Sequence, residues 1–126
     1  MIEAYFNEIL ETISSSFAIS SFNVIKLRIA ENEGFIRVRC SLMNGDILEF
    51  AEYMTIFQRE PKVLSYSYHW QTSDGTLVKR WDNVPHHPEL NSFPDHLHQL
   101  GSVESSPPMN FQKVLSEIEN NLRAGE

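Results

Sequence analysis

The sequence predicts an α+β fold: an N-terminal helix, a five-stranded antiparallel meander sheet, a long histidine- and proline-rich loop, and a C-terminal helix. Three observations predict it. Apolar residues recur at helical spacing near both ends of the chain. Between them, up to residue 82, the apolar period switches to two. Within that stretch Asn44-Gly45 and Asp74-Gly75 are strong signals for tight hairpin turns.

Ile2, Tyr5, Phe6, Ile9, Leu10 and Ile13 make residues 2–15 an amphipathic helix, which the run Ser14-Ser15-Ser16 ends. In strand 23–29, Ile25, Leu27 and Ile29 face one way while Lys26 and Arg28 face the other. After a turn over 31–34, strand 35–42 alternates again, with Ile36, Val38, Cys40 and Leu42 opposite Phe35, Arg37, Arg39 and Ser41. Asn44-Gly45 leads into strand 46–57. Pro61 restarts the chain into strand 62–72, where Leu64, Tyr66, Tyr68 and Trp70 share a face, and Asp74-Gly75 turns it into strand 76–82. Pro85, Pro88 and Pro94 then forbid a regular helix or central strand. After Pro107-Pro108, Asn110 caps a helix whose apolar stripe is Phe111, Val114, Leu115, Ile118 and Leu122, with Met109 placed to staple against Val114.

Turn positions predict cross-strand neighbours. A two-residue turn at Asp74-Gly75 sets Trp70 opposite Lys79, His69 opposite Arg80, Tyr68 opposite Trp81 and Ser67 opposite Asp82. A turn at residues 32–33 sets Arg28 opposite Arg37 and Lys26 opposite Arg39, and the Asn44-Gly45 turn sets Glu52 opposite Arg37. If both helices cover the aliphatic and aromatic face, the other face of the sheet is basic and polar.

The chain has 126 residues, 41% hydrophobic and 21% charged, which fits one globular domain spanning 1–126. No apolar run approaches the roughly 20 residues of a spanning helix, and the N-terminus lacks the pattern of a secretory signal. Cys40 is the single cysteine, at an inward-facing strand position where a buried inert thiol is expected. No intrachain disulfide can form, so the expected compartment is the cytoplasm. A formal charge of −7 argues against non-specific nucleic-acid binding and leaves room for a local basic patch or a basic protein partner.

Four of the five histidines, His86, His87, His96 and His98, fall between Arg80 and His98, among Asp82, Glu89 and Asp95. Core packing does not require this. Imidazole exchanges protons near neutrality and ligates metals, so the cluster points to acid–base chemistry or to a metal site. Metal-free cleavage of RNA needs a base for the ribose 2′-OH, an acid for the leaving oxygen and a cation for the phosphorane. Histidine, Asp82 or Glu89, and Arg80 can supply those roles. A metal site would use His96 and His98 with His86 or His87 and a carboxylate, although no recognised zinc spacing is present. In a third reading the imidazoles only brace a loop. Lys26, Arg28, Arg37 and Arg39 form either a solvated sheet face or a patch for phosphates. Nucleophilic-elbow and phosphate-cradling glycine motifs are absent.

The chain resembles the TumE-like family of prokaryotic toxin–antitoxin systems. The resemblance rests on Tyr66-Ser-Tyr-His-Trp70, on Arg80-Trp-Asp-Asn-Val-Pro-His-His-Pro-Glu89, on Phe93-Pro94 and His96-x-His98, and on the proline-led final helix with Val114-Leu115-Ser-Glu-Ile118. It covers most of residues 60–122. It implies a toxin with an antitoxin encoded nearby, and by analogy a target in RNA or translation, the ribosome included. Beside that, the reading expects no membrane partner and no cofactor, and it leaves homodimerisation open. The matching motif positions Arg80, Asp82, Asn83, His86, His87 and His98 are carried over as the functional set. In the leading reading Arg80, Asp82, His86, His87 and His98 are catalytic, and no metal is assigned. Lys26, Arg28, Arg37, Arg39, Tyr66, Tyr68, Trp70 and Asn83 meet substrate, with Trp81 beside the tyrosines as a wall. The alternative is a non-enzymatic metal- or ligand-binding module whose basic sheet face binds a protein partner.

Overall fold

The computed structural model describes residues 1–125. Helix α1 (Ile2–Ser15) is followed by strands β1 (Ile19–Ile29), β2 (Glu33–Leu42), β3 (Ile47–Phe57), β4 (Glu60–Gln71), β5 (Leu77–Asp82), β6 (His96–Gln99) and β7 (Ser102–Ser105), and helix α2 (Phe111–Ala124) ends the chain. The strands form one antiparallel sheet in sequence order. Ile2, Phe6, Ile9 and Ile13 of α1 and Phe111, Val114, Leu115 and Ile118 of α2 join Ile36, Val38, Cys40, Leu48, Phe50, Tyr68, Trp70 and Trp81 in one core. Phe111 stacks on Phe50 at 4.6 Å between ring centroids. As expected, Asn110 caps α2 by accepting from the Lys113 amide at 2.8 Å. Cys40 is fully buried, and burial pushes its thiol pKa up to about 12.

The sheet has seven strands rather than five. The extra pair comes from the expected loop, where β6 and β7 form a hairpin that pairs with the outer edge of β5. His96-Leu97-His98 alternates, and Leu97 opposite Trp81 takes the core side. The turn is Leu100-Gly101, both at positive φ, a conformation in which leucine gives no sequence signal.

Turn geometry also corrects the register. The first hairpin turns at Glu31-Asn32 and carries a bulge near Ile25, so Arg28 faces Phe35, Lys26 faces Arg37 and Asn23 faces Arg39. Around Asn44-Gly45 the loop is Met43-Asn44-Gly45, with Gly45 at φ 92°, and Leu42 bonds Asp46. That slip of one residue exchanges the faces of β3. Ala51 lies opposite Arg37, and Glu52 lies opposite Ile36, inside the core. The β4–β5 pairs are those expected, Trp70 with Lys79 through Ser67 with Asp82. They arise differently, from a longer loop over Ser73-Asp74-Gly75 compensated by a bulge at Val78.

Glu52 is fully buried and accepts hydrogen bonds at 2.6 Å from the hydroxyls of Tyr5 and Tyr68. Burial raises its carboxyl pKa, against the two phenol bonds that lower it. Burial and the adjacent Glu52 carboxyl raise both phenols in turn.

Gly34 in β2 lets α1 sit directly on the sheet: a Cβ there would lie 2.6 Å from Ile2 Cγ2 and 2.9 Å from Phe6 Cε2. Gly34→Ala is therefore expected to destabilise the domain by about 1–3 kcal/mol through overpacking, read as a lower urea midpoint. An unchanged midpoint would show that α1 is free to shift.

Candidate functional site

The site is built on the sheet face opposite the helices, where β5 and β6 run side by side. Residues two apart on a strand point to the same side, so Arg80 and Asp82 on β5 share this face with His98 and His96 on β6, in the pairs Arg80–His98 and Asp82–His96. On β4, His69 and Ser67 continue the two rows. The loop between β5 and β6 brings His87 over the same place. The three imidazole rings of His87, His96 and His98 lie within 5.8 Å of one another, centroid to centroid, edge to face.

Asp82 is the hub. Its side chain is 4% exposed, and Oδ1 lies 2.9 Å from His96 Nε2 while accepting from the Val84 amide at 3.0 Å. Oδ2 accepts from Arg80 Nε at 3.0 Å and faces His98 Nε2 at 3.7 Å. His96 is buried and donates from Nδ1 to the Pro94 carbonyl at 2.9 Å. The side chains of His87 and His98 are 28% and 29% exposed, so these two imidazoles open to solvent above the buried Asp82–His96 pair. Burial lowers the His98 pKa against the pull of Asp82, with His96, Arg80 and His87 adding to the decrease. This favours the neutral ring. His87 Nδ1 lies 3.2 Å from Glu89 Oε1. The Glu89 carboxyl is held low by its own backbone amide first and by His87 second.

The structure thus brings together Arg80, Asp82, His87 and His98 from the expected catalytic set, and it adds His96. It leaves His86 apart: that ring is exposed and outside the cluster. The sequence offered His96 as a member of the cluster and as a metal ligand beside His98, and the strand puts both on one face.

The expected substrate contacts divide. Tyr66, Tyr68 and Trp70 point to the helical side and are buried, as is Trp81, so none of them is placed to stack a base. Tyr68 serves Glu52, Tyr66 bonds Asp95, and Trp70 donates to Asp46. Asn83 is spent on the backbone of β4, accepting from the Tyr66 amide and donating to the Leu64 carbonyl, both at 3.0 Å. Lys26, Arg28, Arg37 and Arg39 do share the open face. However, Arg37 and Arg39 both meet Glu49 at 3.2 Å, Arg28 meets Glu33 at 2.5 Å, and Lys26 lies over the Phe35 ring. These pairs offset much of the patch's positive charge.

Charge is segregated all the same. Helix α1 carries Glu3, Glu8 and Glu11 and no lysine or arginine. Glu8, Glu11 and Glu119 line a groove of about 380 Å³ between the helices, away from the histidines. The acidic total therefore does not describe the sheet face.

A family model described as Toxin TumE matches residues 7–122. The chain belongs to the TumE toxin family. The match takes in the first half of the chain, beyond the residues 60–122 on which the resemblance rests, and every residue of the histidine site. Searches of curated proteins and of solved structures returned no match. As a member of a toxin family, this chain carries a site of three imidazoles, one buried carboxylate and one guanidinium. No helix among the described residues is long and apolar enough to cross a membrane.

Proposed function

We propose that this TumE-family chain is a toxin that cleaves RNA in the cytoplasm by metal-independent acid–base chemistry and is held in check by an antitoxin. The observation that carries the reading is the pair of solvent-facing imidazoles, His87 and His98, set 5.8 Å apart beside Asp82 and Arg80. One neutral imidazole takes the proton of the ribose 2′-OH as its oxygen attacks phosphorus, and the other protonates the departing 5′ oxygen. His98 suits the base role, because burial favours its neutral form. His87, hydrogen-bonded to Glu89, suits the acid. Arg80 lies where it can face the phosphorane, and Asp82 orients both Arg80 and His98. Affinity for the RNA backbone would come from the sheet face, where Arg39, Arg37 and Lys26 lie in the same cross-strand rows as the site.

Controlled induction tests the reading, with growth followed and total RNA examined in parallel. Wild type is expected to arrest growth and leave discrete RNA fragments. A His87→Ala/His98→Ala variant that remains folded is expected to do neither, and His98→Ala alone to slow cleavage in vitro by about 10²-fold or more. Arrest by the double variant with intact RNA would remove the ribonuclease reading and leave a toxin of another kind.

A further inference from the structure

We propose that His87, His96, His98 and Asp82 also form a site for one divalent transition metal ion of the zinc class, and that metal occupancy and proton transfer exclude each other there. The first half stands on geometry alone. The second rests on the acid–base reading above.

One nitrogen from each of the three histidines lies within 4.8 Å of the other two. Ligand nitrogens around a tetrahedral ion with bonds of about 2.0–2.1 Å sit roughly 3.4 Å apart. Closing that difference takes shifts of about 1 Å at the ends of side chains.

Tautomers favour the site as well. A carbonyl oxygen only accepts, so the Pro94 carbonyl holds the proton of His96 on Nδ1, and Nε2 of the neutral ring presents a lone pair. That lone pair meets the carboxylate of Asp82 at 2.9 Å. Two acceptors at that distance share a proton, and opening the pair by roughly 0.5 Å replaces the proton with a metal bound to both. Glu89 likewise engages Nδ1 of His87 and leaves Nε2 for coordination. Outer hydrogen bonds of this kind orient histidine ligands and raise their basicity.

The ligands are also well supported. His96 and His98 come from one strand and Asp82 from its neighbour, so three of the four sit on sheet backbone rather than on loops. Asp82 can offer Oδ1 to the ion while Oδ2 keeps Arg80. A set of nitrogens with one carboxylate selects zinc, nickel, copper or cobalt over magnesium and calcium. Exclusion follows because an imidazole lone pair bound to a metal cannot accept a proton.

The test begins with protein freed of metal by chelation and dialysed against zinc chloride. One zinc per chain is expected for the wild type and for His86→Ala, with stoichiometric binding lost in His87→Ala and in His98→Ala, each confirmed folded by circular dichroism. Cobalt(II) in place of zinc is expected to give the visible bands of tetrahedral coordination. Absence of zinc from the folded wild type, or binding unchanged in both histidine variants, would overturn the site and leave the ribonuclease reading intact. Cleavage of RNA by metal-free protein is expected to stop on zinc loading and resume with chelator. Cleavage that requires zinc would overturn the exclusion while upholding the site. Stoichiometric zinc with no cleavage in either form would uphold the site and overturn the acid–base coupling.

Discussion

Alanine at Asp82 is expected to destabilise the domain by about 3–5 kcal/mol, because it removes at once the partner of the buried His96 ring and the carboxylate that pairs with Arg80. The Val84 amide loses its acceptor in the same step. For activity the conservative variant is more informative. Asp82→Asn keeps the shape and one carbonyl oxygen but turns an amide donor toward groups that themselves donate. It is expected to remain folded yet lose RNA cleavage by an amount on the order of 10⁴-fold, comparable to misorienting a catalytic histidine elsewhere. Urea midpoints and single-turnover cleavage on both variants check this. A folded Asp82→Asn with near-normal cleavage would strip Asp82 of any orienting role and reduce it to a structural clamp.

Glu52 gives the second large effect, through stability and pH. Glu52→Ala leaves the buried Tyr68 hydroxyl without its acceptor and opens a cavity, costing about 2–4 kcal/mol. Glu52→Gln separates charge from packing, since an amide and two rotatable phenols can still satisfy one another. The native state holds the Glu52 proton more tightly than the unfolded chain, whose carboxyl titrates near the ordinary 4.5. Its stabilising contribution is therefore fully present below that value and is lost as pH rises through the raised native pKa. The urea midpoint of wild type is expected to fall relative to Glu52→Gln across that window and then run parallel to it. Parallel curves from pH 4 upward would show that the two phenols keep Glu52 ionised at no net cost.

Much of this molecule could be read locally. Both helices, their apolar stripes and the Asn110 cap depend on residues three and four apart, and strands β1 to β5 on simple alternation. The motif from Arg80 to His98 pointed to the candidate site, because core packing does not call for four imidazoles in so short a stretch. What local patterns could not supply was the count of residues inside each turn. Met43-Asn44-Gly45 and Asn44-Gly45 alone differ by one residue, and that residue decides whether Glu52 meets Arg37 or the phenols of Tyr5 and Tyr68. The aromatic strand Tyr66-Ser-Tyr-His-Trp70 alternates identically whichever side the helices cover, so its sequence could not tell a stacking platform from a core.

The sequence by itself determined an α+β domain with terminal helices, the family resemblance, and a histidine-rich candidate site with Arg80, Asp82, His86, His87 and His98 as its expected set. Tertiary structure alone decided that residues 96–105 complete the sheet, that His96 joins the site and His86 does not, and that Arg28, Arg37 and Arg39 on the sheet face are paired with carboxylates. The reason is physical. Periodicity fixes which residues share a face of one element, whereas register and sheet membership depend on partners distant in the chain, namely the open edge of β5 that β6 satisfies and the helices that bury one face of the sheet.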